Sequence, residues 1–218
     1  MPESTDFRRH APATERNRAP ICSVLESTLP SGGTVLEVAS GTGQHAAFLA
    51  SRLSPRHWLP SDPNPDARAS IRSWSTTASV ETLYAPLDLD MTQPKWFQIV
   101  REWQADEGSA APPITAIINI NMIHISPWAA CEGLMAGAEQ LLPAGGVLYL
   151  YGPFKQNGQH TASSNELFDQ SLRSQNPSWG VRDLEAVVAL ANQHQFNLSQ
   201  TIEMPANNLS VIFARLFS

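Results

Sequence analysis

Residues 35–46 read VLEVASGTGQHA: an apolar run, a glycine-punctuated turn, then residues suited to opening a helix. Strand, tight turn and helix in that order start a βαβ unit. The spacing Gly41-x-Gly43-x-x-Ala46 fits the dinucleotide fingerprint in its Gly/Ala form. Gly41 and Gly43 permit positive φ and let a ligand approach the backbone. The helix from Gly43 aims its amino end at that ligand.

The rest of the chain repeats the alternation. A first helix starts near Thr14, with Ile21, Val24, Leu25 and Thr28 at three- and four-residue steps. Strands are predicted at 34–39, 57–62, 81–89, 114–120 and 146–152, with helices at 43–53, 65–77, 94–107 and 127–142 between them. This predicts a parallel sheet with helices on both faces. After Tyr151 comes a polar segment, about 152–180, expected to cover the site, with one helix around 166–173. A helix at 182–195 and two strands at 196–203 and 209–217 finish the chain, the last two close enough to pair antiparallel. The expectation is an α/β fold of the Rossmann-like class I methyltransferase kind, with seven mostly parallel strands and a C-terminal antiparallel pair. Residues 1–12 are expected to be a flexible arm, and 13–218 one domain. With 218 residues, 42% of them hydrophobic, the chain can bury the core this requires.

Ligands of such sheets lie outside the carboxyl ends of the strands, so the polar residues there belong together. Glu37 ends the first strand, Asp62 the second and Asp88 the third. Asp62 lies about 20 residues past the glycine turn, where an acid bonds ribose hydroxyls. Asp88 can accept from an adenine amine, while Leu89 offers a backbone N–H and an apolar wall with Met91. Glu37, four residues before Gly41, suits an ammonium and repels a pyrophosphate. That favours S-adenosyl-L-methionine over NAD. Ala39 in the turn, Asn119 and Asn121 at the end of the fourth strand, and Asn17 in the first helix complete the candidate cofactor set.

At these residues the chain resembles the SAM-dependent methyltransferase family related to methyltransferase-like protein 26. The matching stretches run from ATERNRAPI (13–21) through VLEVASGTGQHAAFLA (35–50), WLPSDPNPDARASI (58–71) and APLDLD (85–90). They continue in INMIHISPWAACEGLMAGA (120–138), LLPAGGVLYLYGPFK (141–155), WGVRDLE (179–185) and EMPANNLSVIF (203–213). The resemblance implies a SAM-binding enzyme and leaves its acceptor undefined.

For chemistry, His124 just past the fourth strand is the first candidate for a base or acceptor-orienting group, and Tyr151 the second. Lys155 and His160 are candidates for an anionic acceptor group, and Trp128 and Trp179 for an apolar wall. The expected reaction is methyl transfer to a small molecule that is polar or carboxylate-bearing. Alternatives are a protein methyltransferase, an NAD-dependent oxidoreductase and a SAM-binding module without catalysis. A net charge of −6 without a basic stripe argues against nucleic acid. No apolar run is long enough for a membrane span. Two isolated cysteines and a polar start suggest a cytoplasmic setting. Scattered histidines suggest no metal site.

Overall fold

The computed structural model describes residues 6–78, 80–108 and 111–217. Helix α1 (Pro12–Thr28) leads into β1 (Thr34–Val38), α2 (Gln44–Arg52), β2 (His57–Pro60) and α3 (Pro65–Ala78). Then come α4 (Trp96–Glu107), β3 (Ile114–Ile120), a short 3-10 turn (Met122–His124), α5 (Trp128–Leu141) and β4 (Val147–Gly152). The last third holds β5 (Phe154–Gln156), β6 (Gln159–His160), α6 (Ser163–Gln175), β7 (Arg182–Asp183), α7 (Leu184–Gln193), β8 (Phe196–Met204) and β9 (Asn208–Arg215).

The main sheet is mixed and has six strands in the order β2-β1-β3-β4-β9-β8. The first four are mutually parallel, and β9 runs antiparallel to both β4 and β8. Seven mostly parallel strands were expected, and the strand placed at 81–89 is the one that differs. Its backbone does run along β2. Trp58 N–H donates to Thr82 O (2.7 Å), and Tyr84 N–H to Trp58 O (2.9 Å). The ladder then falters because the next donor on β2 is Pro60, and the residue opposite it is Pro86. Neither has an N–H. Leu87 donates to Pro60 O in place of Pro86, and only two isolated bridges survive, Trp58–Leu83 and Ser61–Leu87.

Strand alternation divides the core between the two faces of the sheet. Leu36, Val38, Ile117, Leu148 and Leu150 pack with Leu134, Met135 and Val187 from α5 and α7. Val35, Ile118, Tyr149 and Tyr151 pack on the other face with Ile21 and Leu25 of α1 and Leu49 of α2. β1 and β4 are buried along their whole lengths because both faces are covered.

The polar segment after β4 is ordered into a second, three-stranded sheet, β6-β5-β7, with α6 beside it. Residues 6–11 of the expected arm lie along α3: Arg9 N–H donates to Ser70 Oγ (2.8 Å), and Trp74 Nε1–H to Arg9 O (3.1 Å). The first five residues lie outside the described ones.

Candidate functional site

The turn after β1 carries three left-handed residues: Ala39 (φ 54°), Gly41 (φ 56°) and Gly43 (φ 83°). The two glycines do different jobs. A Cβ at Gly41 would meet nothing within 4 Å, so its bare side faces open space. A Cβ at Gly43 would lie 2.8 Å from Ile71 Cα, so this glycine lets α2 pack against α3. The turn is tied to the end of β2. Ser40 N–H donates to Ser61 O (2.8 Å), and Gly41 N–H to Asp62 Oδ2 (2.9 Å). Asp62 also accepts from Asn64 N–H (2.9 Å), so its carboxylate is held while lining a cavity.

That cavity measures about 420 Å³ and opens at the carboxyl ends of β1 and β3. Ala39, Gly41, Asp62, Leu89 and Ile120 line it, with Met91, Met122 and Ile125 as apolar wall and Trp179 at the side. Among the described residues, two carboxylates, Asp62 and Asp90, reach its lining and no lysine, arginine or histidine does. A pyrophosphate would find no counter-charge here and two repelling ones. A nucleoside bearing ammonium or sulfonium charge suits the same walls. Asp90 is the residue that sequence reasoning missed. The acid singled out there, Asp88, is turned away: its side chain is 66% exposed and paired with Arg68 (2.9 Å). Asp90 instead caps the next turn, accepting from Thr92 N–H (2.8 Å). A carboxylate with an N–H two residues on is a turn signal, and it was readable in Asp90-Met91-Thr92.

Glu37 lies behind the turn, and no part of it lines the cavity. It is 2% exposed and accepts the Trp58 indole N–H at 2.6 Å. Burial pushes its carboxyl up to about 7, against the pull of the Trp58 and Ser40 hydrogen bonds. In this arrangement it joins β1 to β2. Asn119 is fully buried; its amide donates weakly to Val38 O and accepts from Ile123 N–H (3.4 Å each). Asn121 (φ 67°) turns the chain after β3, donating its N–H to Tyr151 O (2.8 Å). Neither lines the cavity.

The His124 ring is enclosed. It is 0% exposed, edge-on to Phe154 at 4.9 Å, and its Nδ1 accepts from Arg182 N–H (3.3 Å). Among the described residues its Nε2 has no hydrogen-bond partner, and it lies against Gly152, where a Cβ would come within 2.5 Å. Burial, aided by the positive charge of Arg182, holds its pKa down to about 3, so the ring is neutral. The same residue's carbonyl accepts from Gly180 N–H (2.8 Å), and Arg182 donates to Ile123 O (2.8 Å). His124 thus anchors the strap that carries Trp179 to the cavity.

Tyr151 stands beside Ile120 in the register of β3 and β4, so their side chains share a face. Its hydroxyl accepts from Asn208 Nδ2 (3.1 Å). Asn17 Oδ1 accepts from His45 Nε2 (2.9 Å). Burial, reinforced by Arg18, holds His45 down to about 4, so it is a neutral donor to the Asn17 side chain. Burial is the largest influence on the Tyr151 phenol and raises its pKa; the Asn208 amide opposes it.

Lys155 and His160 converge on Asp169, each at 3.4 Å, together with Arg173 at 3.2 Å. Trp128 shares a second recess of about 370 Å³ with Lys155, Arg173 and Arg182, and the Arg182 guanidinium sits 5.7 Å from its ring centre. The structure therefore gathers Ala39, Gly41, Asp62 and Leu89 at one cavity and Lys155 and Trp128 at another.

A model of the family described as "Protein of unknown function (DUF938)" matches residues 8–215. Among solved structures, the chain is similar to an O-methyltransferase family protein from Burkholderia thailandensis (TM-score 0.74, 14% identity, 94% of this chain, 57% of that one). It is similar to human N-acetylserotonin methyltransferase in complex with SAM (TM-score 0.71, 12% identity, 94% and 53%). It is also similar to an O-methyltransferase family 2 protein from Planctomyces limnophilus in complex with apigenin (TM-score 0.71, 16% identity, 94% and 60%). The chain spans little more than half the length of these proteins. The likeness shows the fold, an α/β arrangement matching class I methyltransferases.

Proposed function

We propose that this chain, which belongs to the family described as "Protein of unknown function (DUF938)", is an S-adenosyl-L-methionine-dependent methyltransferase acting on a small polar molecule. Within that reading it is a cytoplasmic relative of methyltransferase-like protein 26. One observation carries it: the cavity over the glycine turn is apolar, bears Asp62 and Asp90, and has no cation in its lining. The bare face of Gly41 leaves room for a ligand against the backbone. S-adenosyl-L-methionine, when bound there, supplies a methyl carbon attached to a sulfonium.

The chain's own residues would hold and exclude. Asp62 accepts from ribose hydroxyls, already oriented by the N–H groups of Gly41 and Asn64. Leu89, Met91 and Ile125 enclose the adenine and keep water from it. Trp179, held by the strap anchored at His124, closes the side. Tyr151, one strand beyond Ile120, orients the acceptor: the Asn208 amide donates to its oxygen, leaving its own proton to give. Alignment of this kind supplies several kcal/mol toward an in-line transfer. Calorimetric titration tests the reading. Tight binding of S-adenosylhomocysteine with no binding of NAD is expected, and NAD binding alone would overturn it.

A further inference from the structure

A third recess, about 430 Å³, lies where the β8–β9 hairpin faces the small sheet. It is lined by Gln156, Thr161, Glu203, Asn207 and Asn208, with Met204 and Leu209 as its apolar part. It offers amides, a hydroxyl and one carboxylate, and no cation.

The pleat of the small sheet sorts the charges. Side chains of successive strand residues point to opposite faces. Gln156 therefore faces the hairpin, while Lys155 lines the recess of Trp128 and Arg182. Lys155 stands opposite His160 across β5 and β6, so both side chains share the far face and end on Asp169. Thr161, one residue after His160, returns to the near side.

The recess is also joined to the cofactor cavity through the sheet. Ile120 lines the cavity, Tyr151 is its register partner on β4, and Asn208 of the recess bonds the Tyr151 hydroxyl. Neighbouring strands are about 4.8 Å apart, so the buried Tyr151 side chain links a residue of one lining to a residue of the other. The hairpin is held in place. Ala206 and Asn207 both adopt φ 61°, and the buried Asn165 donates to Asn207 O (2.8 Å). Asn207 Nδ2 donates to Ser164 Oγ (3.2 Å).

We propose that this recess is the acceptor subsite, and that it selects a hydroxyl-bearing acceptor that is uncharged or carries an amine, not one carrying a carboxylate. The proposal rests on the methyltransferase reading and gives it a substrate class. It departs from the sequence-based expectation of an anionic acceptor held by Lys155 and His160, because both side chains are engaged by Asp169.

Three phenols that differ only in side-chain charge test it: tyramine, tyrosol and 4-hydroxyphenylacetate. Their affinities are measured by saturation-transfer NMR on the full chain saturated with S-adenosylhomocysteine. Tyramine and tyrosol should each bind at least about threefold tighter than 4-hydroxyphenylacetate, the scale of an exposed charge contact. Glu203→Lys, on an exposed position, should reverse the order of tyramine and 4-hydroxyphenylacetate while S-adenosylhomocysteine affinity stays the same. An equal or higher affinity for the carboxylate, an order unmoved by Glu203→Lys, or no binding of any phenol overturns the subsite. Carboxylate binding that Lys155→Gln removes would place the acceptor in the Trp128 recess instead. Failure of S-adenosylhomocysteine to bind at all would strike the methyltransferase reading, a result distinct from the others.

Discussion

Along the carboxyl edge of the main sheet, the β1–β3 half and the β4–β9 half hold their polar groups in different ways. On the β1 side, short loops tie backbone to carboxylate. Asp62 receives Gly41 N–H, and the cavity walls are apolar. On the β4 side, side chains hold side chains: His45 bonds Asn17, Asn208 bonds Tyr151, and Lys155, His160 and Arg173 gather on Asp169. The first arrangement depends on a turn of left-handed backbone in which Gly41 and Gly43 sit. The second depends on which face of a strand each residue takes. The two halves should therefore break under different substitutions.

The largest effect belongs to Gly43→Val. Positive φ and a Cβ 2.8 Å from Ile71 Cα combine strain with overpacking, together about 4 kcal/mol. Chemical denaturation checks it. Gly41→Ala, with free space around its Cβ, should cost about 1 kcal/mol and act on S-adenosylhomocysteine affinity instead. Equal destabilisation by the two would erase the distinction drawn between them.

Next comes the pH dependence set by Glu37, whose carboxyl is raised from 4.5 to about 7. The folded state favours the protonated acid. Its contribution is complete below pH 4.5 and is lost as pH rises through 7. Glu37→Gln keeps the Trp58 acceptor without the charge. Its stability should match the wild type near pH 4.5 and exceed it by up to about 3 kcal/mol above pH 7. His45 and His124, both depressed, act with the opposite sign. Their contribution is complete above pH 6.5 and is lost as pH falls toward about 4 and about 3. They are common to both proteins, so the difference between the two isolates Glu37.

In the other half, Gly152→Ala drives a Cβ to 2.5 Å from His124 Nε2 and should cost about 2 kcal/mol. The double variant with His124→Ala should cost less than the sum of the singles, because the clash goes with the ring. Strict additivity in thermal unfolding would show that the contact carries no strain. Smaller still, Asp62→Asn should weaken S-adenosylhomocysteine about tenfold, close to 1.4 kcal/mol. Asp88→Asn, exposed and paired with Arg68, should change it less than about twofold. A larger effect from Asp88 would restore it to the site.

The β1 half was the more legible in sequence. The glycine spacing, Asp62 about 20 residues on and the seven-residue run of β3 all report local geometry. Even there, the reach of local signals ended at side-chain direction. Glu37 reads as an acid beside a glycine turn, but its strand face points it to Trp58. Asp88 and Asp90 look equivalent in PLDLD, and only the path of the chain decides that Asp90 lines the cavity. Pro60 and Pro86 were visible, yet their effect needed the knowledge that they lie opposite each other. The β4 half depends on contacts between residues far apart, such as Lys155 with Asp169 and Asn165 with Asn207. A polar stretch from 152 to 180 therefore gave no sign of the small sheet that it forms.

Only Pro153 separates β4 from β5. A chain with one residue more at that point would enter the small sheet out of phase. Lysine would then face the hairpin and glutamine the tryptophan. The choice between an amine-bearing and an acidic ligand would be written in loop length, and a single-codon insertion could invert it without altering any side chain.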